Sequence, residues 1–191
     1  MNDLSRRDLF SAGLRKLLRL PFDLGQTVED EQTKPRFLRP PGAVPERELV
    51  ERCTTCGDCV VACAYEAIRL LDHTAGPLQG TPAVIPREQP CLYCGDFPCV
   101  ESCSEGALTR EHLVMGQAVV DVDRCLMQHG AWCDECIQKC PLTGKALRLE
   151  ANFRLVVDPE HCTGCGVCEY VCPTSPPAIW VQPARLHSPA P

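Results

Sequence analysis

Short apolar stretches recur through the middle of the sequence, and polar or small residues separate them. Three-residue apolar runs occupy positions 83–85, 118–120 and 155–157. A small residue followed by a larger apolar one recurs at Ala67-Ile68, Ala107-Leu108, Ala146-Leu147 and Ala178-Ile179. Stretches this brief are typical of short strands. The pattern predicts short β-hairpins, and no stretch approaches the roughly 18 apolar residues that cross a membrane.

The first 20 residues follow a helical pattern instead. A helix capped by Ser5 would have an apolar face opposite a basic one, until Pro21 ends it. The apolar residues are Phe10, Leu14, Leu17 and Leu18, and the basic ones are Arg15, Lys16 and Arg19. We predict that residues 1–20 form a basic amphipathic docking segment in which Arg6, Arg7 and Phe10 contact a partner or a membrane surface. A helix that packs on its own domain is the alternative.

Prolines mark the regions on either side of the central part. Pro35, Pro40, Pro41 and Pro45 precede it, so we interpret residues 21–50 as a Pro-rich, extended connector. Residues 182–191 contain three further prolines and are predicted to form a disordered tail.

Composition changes what the core is expected to contain. The chain of 191 residues has 16 cysteines, whereas aromatic residues make up only 5%. Because so few aromatic side chains cannot fill a large core, we expect the cysteines and what they bind to form the interior. The net charge of -6 argues against binding to nucleic acid, which requires clustered Lys and Arg.

The cysteines fall into four groups of four, and every group ends in a C-x3-C step. The fourth group is a complete C-x2-C-x2-C-x3-C-P run, by which bacterial ferredoxins hold [4Fe–4S] clusters. The members are Cys53, Cys56, Cys59 and Cys63; Cys91, Cys94, Cys99 and Cys103; Cys125, Cys133, Cys136 and Cys140; and Cys162, Cys165, Cys168 and Cys172.

The first three groups vary this spacing but keep four potential ligands each. The first has Ala64 where the fourth has Pro173, the second lengthens one gap to four residues, and the third opens its first gap to seven. A disulfide framework needs an oxidising compartment, and zinc favours two separated C-x2-C pairs. We therefore predict four [4Fe–4S] clusters held by all sixteen cysteines, with His129 and His161 as non-ligands.

Each group and its flanking strands repeat one unit of strand, cluster loop, short helix and strand. The units are 51–72, 83–112, 118–149 and 155–181, within a polyferredoxin region of residues 51–181. In two-cluster ferredoxins the fourth cysteine of each group binds the other cluster, so four groups imply two such domains. We predict a small, irregular, cluster-centred α+β fold of two ferredoxin-like two-cluster units. Spacing does not settle which groups pair.

These motifs resemble the polyferredoxins of periplasmic nitrate reduction, the NapF and NapG/MauM type, which are related to the β subunits of molybdenum oxidoreductases. The resemblance rests on the D-F-P-C-V step of the second group, the CLMQHGAWC gap of the third and the early SRRDLF. It covers residues 51–181 and the N-terminus. The likeness to β subunits implies a nested pairing, the first group with the fourth and the second with the third.

An S-R-R start without an export-grade apolar run resembles the NapF type. Because Arg15, Lys16 and Arg19 interrupt the apolar stretch, we expect a cytoplasmic location. The resemblance then implies an accessory protein rather than an enzyme, which transfers electrons and helps load the iron–sulfur cluster of the nitrate reductase catalytic subunit precursor before export. The alternative is an electron-transfer polyferredoxin of the NapG/MauM type in a quinol or amine oxidation chain, with another redox protein as its partner.

Overall fold

The computed structural model describes residues 37–150 and 153–184. Within these ranges the longest helix has only seven residues and the longest strands five. The helices α1 to α5 are Glu46–Arg52, Asp58–Ala62, Pro98–Glu101, Glu135–Gln138 and Val167–Tyr170. The strands β1 to β6 are Ile68–Leu70, Pro82–Val84, Gly116–Val120, Leu147–Leu149, Leu155–Val157 and Ile179–Pro183. The small α+β fold with short helices and strands is thereby confirmed.

The strands pair into antiparallel two-stranded sheets. β1 pairs with β2, β4 pairs with β5, and β3 pairs with the distant β6. The registers place Ile68 opposite Val84, Leu147 opposite Val157 and Val120 opposite Ile179. The short strands expected at the apolar runs therefore form, with one exception. Leu108 makes only an isolated bridge to Ala43, and no regular strand forms there.

Part of the region interpreted as a connector belongs to the core. Pro40 and Pro41 are among the most buried side chains, and Leu38 and Val44 are buried beside them. The buried guanidinium of Arg39 forms an ion pair with Glu46 and donates to Thr81 Oγ1 at 3.0 Å. From residue 37 onward the chain therefore packs against β2 instead of acting as a free spacer.

Two predictions concern the ends of the chain, the docking segment and the tail. The docking segment 1–20, with Arg6, Arg7 and Phe10, lies outside the described residues, as do residues 21–36 and 185–191. Residues 182 and 183, placed in the predicted tail, belong to β6. Among the described residues, no helix is long and apolar enough to cross a membrane.

Two apolar clusters form the core, and cysteines are part of both. The larger surrounds Leu49, Val84 and Leu108 and also contains Cys165, Val167 and Val181 from the other end of the chain. The smaller contains five aliphatic residues and two cysteines, namely Ala118, Ala146, Leu147, Leu155, Cys162, Cys168 and Ile179. The fourth cysteine group contributes to both clusters. Both ends of the described chain therefore pack together in the larger cluster.

Candidate metal centres

Four pockets are each lined by four cysteines, and together they take up all sixteen. The first pocket is lined by Cys53, Cys56, Cys59 and Cys103. The second is lined by Cys63, Cys91, Cys94 and Cys99. The third is lined by Cys125, Cys133, Cys136 and Cys172. The fourth is lined by Cys140, Cys162, Cys165 and Cys168.

The first three cysteines of each group thus share a pocket, and the fourth lines the pocket of another group. The short helices produce this exchange. Cys59 lies inside α2 and Cys63 follows its last residue, so one turn of helix directs the two sulfurs into neighbouring pockets. Cys168 in α5 and Cys172 beyond it repeat the arrangement in the fourth group.

The groups pair in sequence order, so the nested pairing implied by the resemblance is wrong. The first and second groups exchange their fourth cysteines, Cys63 and Cys103, and the third and fourth groups exchange Cys140 and Cys172. The reason lies in the connections. The hairpin of β1 and β2 returns the chain from the first group to the second, and the hairpin of β4 and β5 does so between the third and fourth. Each hairpin therefore places the two groups that flank it side by side.

Left-handed residues shape the loops around the thiols. Thr55, Tyr93 and Gly164 each precede the second cysteine of their group and have φ of 59°, 52° and 70°. A second left-handed residue, Gly57 or Gly166, then caps the helix that carries the third cysteine. Such turns curl the backbone into a concave loop whose N–H groups face an anionic centre. The sequence shows the glycines but not Thr55 or Tyr93, because their residue types ordinarily avoid this conformation.

Backbone N–H groups donate hydrogen bonds to several of the sulfurs. Ala67 N donates to Cys63 Sγ at 3.4 Å, and Leu108 N donates to Cys103 Sγ at 3.4 Å. Ala178 N approaches Cys172 Sγ at 3.3 Å. These donors belong to the small-apolar pairs that follow the first, second and fourth groups, so these pairs also stabilise negative charge on the cysteine that crosses to the other pocket.

Burial raises the pKa of several of the pocket thiols, so these thiols resist ionisation in the absence of a positive charge. Burial and the neighbouring Cys53 and Cys103 raise the pKa of Cys59 to about 12. Burial and the Cys125 and Cys133 thiols likewise raise the pKa of Cys136 to about 12. Four thiolates so close together are stable only around a cationic core, whose binding releases their protons.

Cys172 differs from these cysteines. Burial opposes its ionisation, but hydrogen bonds from Thr174 and from the backbone at Ala178 outweigh burial and lower its pKa. Thr174 was not singled out in the sequence, since a hydroxyl residue after a cysteine group carries no signal without the loop geometry.

The donor sets fit a four-iron cluster better than a single ion. Across the described ranges, no three His, Cys, Asp or Glu side chains lie close enough to share one metal ion. Zinc holds each sulfur at about 2.3 Å from one centre, whereas a [4Fe–4S] cluster takes one thiolate at each of four irons. His129 Nε2 donates to the Asp123 carbonyl oxygen at 2.7 Å, and His161 Nδ1 lies 3.3 Å from Asp158 Oδ1, so both side chains have partners away from the pocket linings.

The second and fourth pockets meet at a backbone contact that the sequence did not reveal. Cys91 N donates to Cys165 O at 3.0 Å, which joins one ligand loop to the other. Gly166 lies against Pro86 in the same junction, and a Cβ on Gly166 would lie 2.7 Å from Pro86 Cβ. The two pairs of pockets are therefore joined through the second and fourth.

Comparison with known proteins places these features among iron–sulfur proteins. A family described as 4Fe-4S dicluster domain matches residues 52–107, and one described as 4Fe-4S binding domain matches residues 155–176. The two regions contain the first, second and fourth cysteine groups, and the first region spans two groups that exchange cysteines.

Several relatives are similar over most of their length. The chain is 41% identical to ferredoxin-type protein NapG of Escherichia coli over 165 residues, which cover 78% of this chain and 71% of that protein. It is 40% identical to the methylamine utilization ferredoxin-type protein MauM of Methylorubrum extorquens, over 79% of this chain and 74% of that protein. A polyferredoxin-like subunit of aliphatic sulfonate oxidoreductase from Pyrococcus furiosus is 29% identical over 64% of this chain and 67% of its own.

Proposed function

Because the chain belongs to the NapG/MauM family of ferredoxin-type proteins, we propose that it is an electron carrier with one [4Fe–4S] cluster in each of its four pockets. Both these relatives and the matched ferredoxin domains support a function in iron–sulfur electron transfer. The carrier was the alternative interpretation of the sequence. The cytoplasmic maturation role and the NapF type find no support in the relatives named above.

The convergence of four thiols on every pocket carries this proposal. We assign all sixteen cysteines as ligands, each to the pocket that it lines. A [4Fe–4S] cluster accepts and releases single electrons while its four thiolates remain bound. The residues of the chain would hold each cluster through the cysteine sulfurs, several of which also accept backbone hydrogen bonds. We assign the protein no catalytic step of its own.

The arrangement of pockets supports one order of electron transfer. The first pocket adjoins the second through α2, whose Cys59 and following Cys63 line one pocket each. The second adjoins the fourth through the hydrogen bond from Cys91 N to Cys165 O. The fourth adjoins the third through α5, by Cys168 and Cys172. We propose the relay first, second, fourth, third, with the first and third pockets at its ends.

The partners we propose are redox proteins of a quinol or amine oxidation chain that carry basic docking patches. The chain has a net charge of -6, and each oxidised cluster with four thiolates adds about two further negative charges. Attraction to a basic partner weakens with salt, because ions screen charges beyond about 10 Å at 0.1 M.

Metal content and electron uptake test the proposal. Protein purified without oxygen should contain about sixteen irons and take up about four electrons per chain in a reductive titration. Cys56→Ser, at an exposed ligand of the first pocket, should lower the iron content by about four atoms and the electron uptake by about one electron per chain. A wild-type count near eight irons, or uptake of no electrons by the iron-loaded protein, would overturn the proposal.

The cytoplasmic location stays a prediction, and it rests on the basic residues that interrupt the N-terminal apolar stretch. Cell fractionation with an antibody to the chain tests it. A shortened form without Arg6 and Arg7 in the periplasm would contradict it and would leave the electron-carrier proposal intact.

A further inference from the structure

One hydroxyl group points at a proposed cluster ligand. Thr174 Oγ1 lies 3.2 Å from Cys172 Sγ, and both residues line the third pocket. Ala178 N donates to Thr174 Oγ1 at 2.8 Å and approaches Cys172 Sγ at 3.3 Å. Cys172 is the cysteine that the fourth group contributes to the third pocket. Its sulfur therefore lies within a small network of two donors.

The direction of the hydroxyl hydrogen bond follows from ligand chemistry. In a free thiol either atom could donate, but a thiolate bound to iron has no proton. Thr174 must therefore donate to Cys172 once a cluster is bound. The Ala178 N–H occupies a lone pair of the same hydroxyl oxygen, which leaves the hydroxyl proton free to point at the sulfur.

The other cysteines that cross between pockets lack this arrangement. Cys63 and Cys103 each accept a hydrogen bond from a backbone N–H at 3.4 Å, and Cys172 accepts one at 3.3 Å. Thr174 lies two positions after Cys172, whereas the residues two positions after the other three crossing cysteines are Tyr65, Glu105 and Leu142. The chain also takes longer to reach its strand after Cys172, since the donor to that sulfur is six residues on at Ala178 and only four on at Ala67. The longer turn makes room for Thr174 beside the sulfur.

We propose that Thr174 raises the reduction potential of the cluster in the third pocket and so draws electrons to that end of the relay. This inference rests on the proposed function. Reduction adds one electron to the cluster, and part of the added negative charge resides on the cysteine sulfurs. A hydroxyl donor stabilises the reduced state more than the oxidised one, and hydrogen bonds to the sulfurs are among the factors that set these potentials. Thr174 thus acts on the cluster through the Cys172 sulfur and is a positioning residue, not a ligand.

Three variants of the full-length, iron-loaded protein test the inference in a redox titration followed by electron paramagnetic resonance. Thr174→Val keeps the side-chain shape and removes the hydroxyl, so the midpoint potential of one cluster should shift to a more negative value. Thr174→Ser restores the hydroxyl and should return that potential toward the wild-type value. The signal of the third pocket is identified as the one altered in Cys133→Ser.

Thr143→Val is the matched control. Thr143 Oγ1 donates to the carbonyl oxygen of Cys140 at 2.5 Å, so its hydroxyl lies near a crossing cysteine but bonds to backbone. This variant should leave all four potentials unchanged. A second readout is pulsed electron–nuclear double resonance of the third-pocket cluster, in which Thr174→Val should lose the coupling of one exchangeable proton and Thr174→Ser should keep it, while the coupling of the Ala178 amide proton remains in both.

An unshifted potential in Thr174→Val at full iron content would overturn the inference. If Thr174→Val loses iron, Thr174→Ala takes its place, and loss of iron in both with retention in Thr174→Ser would also overturn it, since the hydroxyl would then serve retention of the cluster. A wild-type protein with no cluster in the third pocket would instead contradict the proposed function, and the iron count shows this before any variant is compared.

Discussion

The halves of the described chain hold the same number of cysteine pockets but differ in what surrounds them. The amino-terminal half, residues 37–112, encloses the first and second pockets with a core that includes Leu38, Val44 and Leu49. The carboxyl-terminal half, residues 113–184, has a smaller cluster of its own, with two alanines and two cysteines among its seven members, and its Cys165, Val167 and Val181 pack in the larger cluster. Fewer apolar contacts of its own mean that the second half depends more on what its thiols bind.

Cysteine burial divides by group and not by half, because each half contains three buried cysteines. The third group differs from the others, since all four of its cysteines are half-buried, whereas Cys162, Cys165 and Cys168 of the fourth group are buried. The seven-residue gap of the third group also places Trp132 at 86% exposure, next to Cys133. A repeated cysteine motif thus specifies a pocket, and the residues between the motifs determine how far that pocket is covered.

Removal of iron should have the largest effect and should separate the halves. Treatment with a chelator in the absence of oxygen should unfold the carboxyl-terminal half, because its small apolar core makes its stability depend more on the proposed clusters. Hydrogen exchange measures this outcome: amides of β4 and β5 should lose protection at lower chelator concentration than those of β1 and β2. Simultaneous loss in both sheets would show that the halves do not differ in their dependence on metal.

Disruption of the buried ion pair should weaken the amino-terminal half alone. Glu46→Gln leaves the buried Arg39 guanidinium without its charged partner and should cost about 3 kcal/mol in the opening free energy of β1 and β2, measured by hydrogen exchange. Glu48→Gln is the control, because Glu48 pairs with the half-exposed Arg52 and should cost less than about 1 kcal/mol. Equal costs would mean that burial of Arg39 is unimportant for stability.

A methyl group at the junction should loosen the contact between the halves. Gly166→Ala has an unfavourable φ of 87° and a clash with Pro86, so we expect about 2 kcal/mol of destabilisation, seen as faster exchange of the Cys91 amide. Gly144→Ala has a φ of 76° but no atom within 4 Å of the added carbon, so it should cost about 1 kcal/mol. An unchanged Cys91 amide in Gly166→Ala would argue against the junction as described.

The smallest effect should come from the most exposed aromatic residue. Trp132→Ala should change the thermal stability by less than about 0.5 kcal/mol, since a side chain in water makes few contacts to lose. Leu49→Ala, at a fully buried position of the amino-terminal half, should cost about 2–5 kcal/mol in the same thermal melt. A large cost at Trp132 would show that the loop of the third group is packed more tightly than its exposure indicates.

Cysteine spacing predicted the pockets and the exchange of the fourth cysteine, because ligand geometry is encoded in short intervals. The apolar pairs predicted where strands begin, since Ile68, Leu147 and Ile179 start β1, β4 and β6. The nested pairing of the groups was predicted wrongly. The observed pairing depends on two hairpins, β1 with β2 and β4 with β5, and a likeness to larger subunits does not determine which strands pair.

Burial of the segment before the first group was missed for a different reason. Proline and a charged residue favour a solvent-exposed connector when they are considered by themselves, yet Pro40 and Pro41 are fully buried and Arg39 is nearly so. An arginine is buried only where several acceptors surround it, and here Glu46, Thr81 and Pro82 O supply them. Those acceptors come from two separate parts of the chain, so no local pattern reveals them.

The contact between Cys91 and Cys165 has a consequence for how this sequence can diverge. Its donor and acceptor are main-chain atoms, at 3.0 Å, and every residue except proline carries the donor. Substitutions at exposed loop positions away from Gly166 and Pro86 can therefore alter partners and surface charge without removing the link between the two halves. The surface of the protein can change in this way while the main-chain connection between the second and fourth pockets is kept.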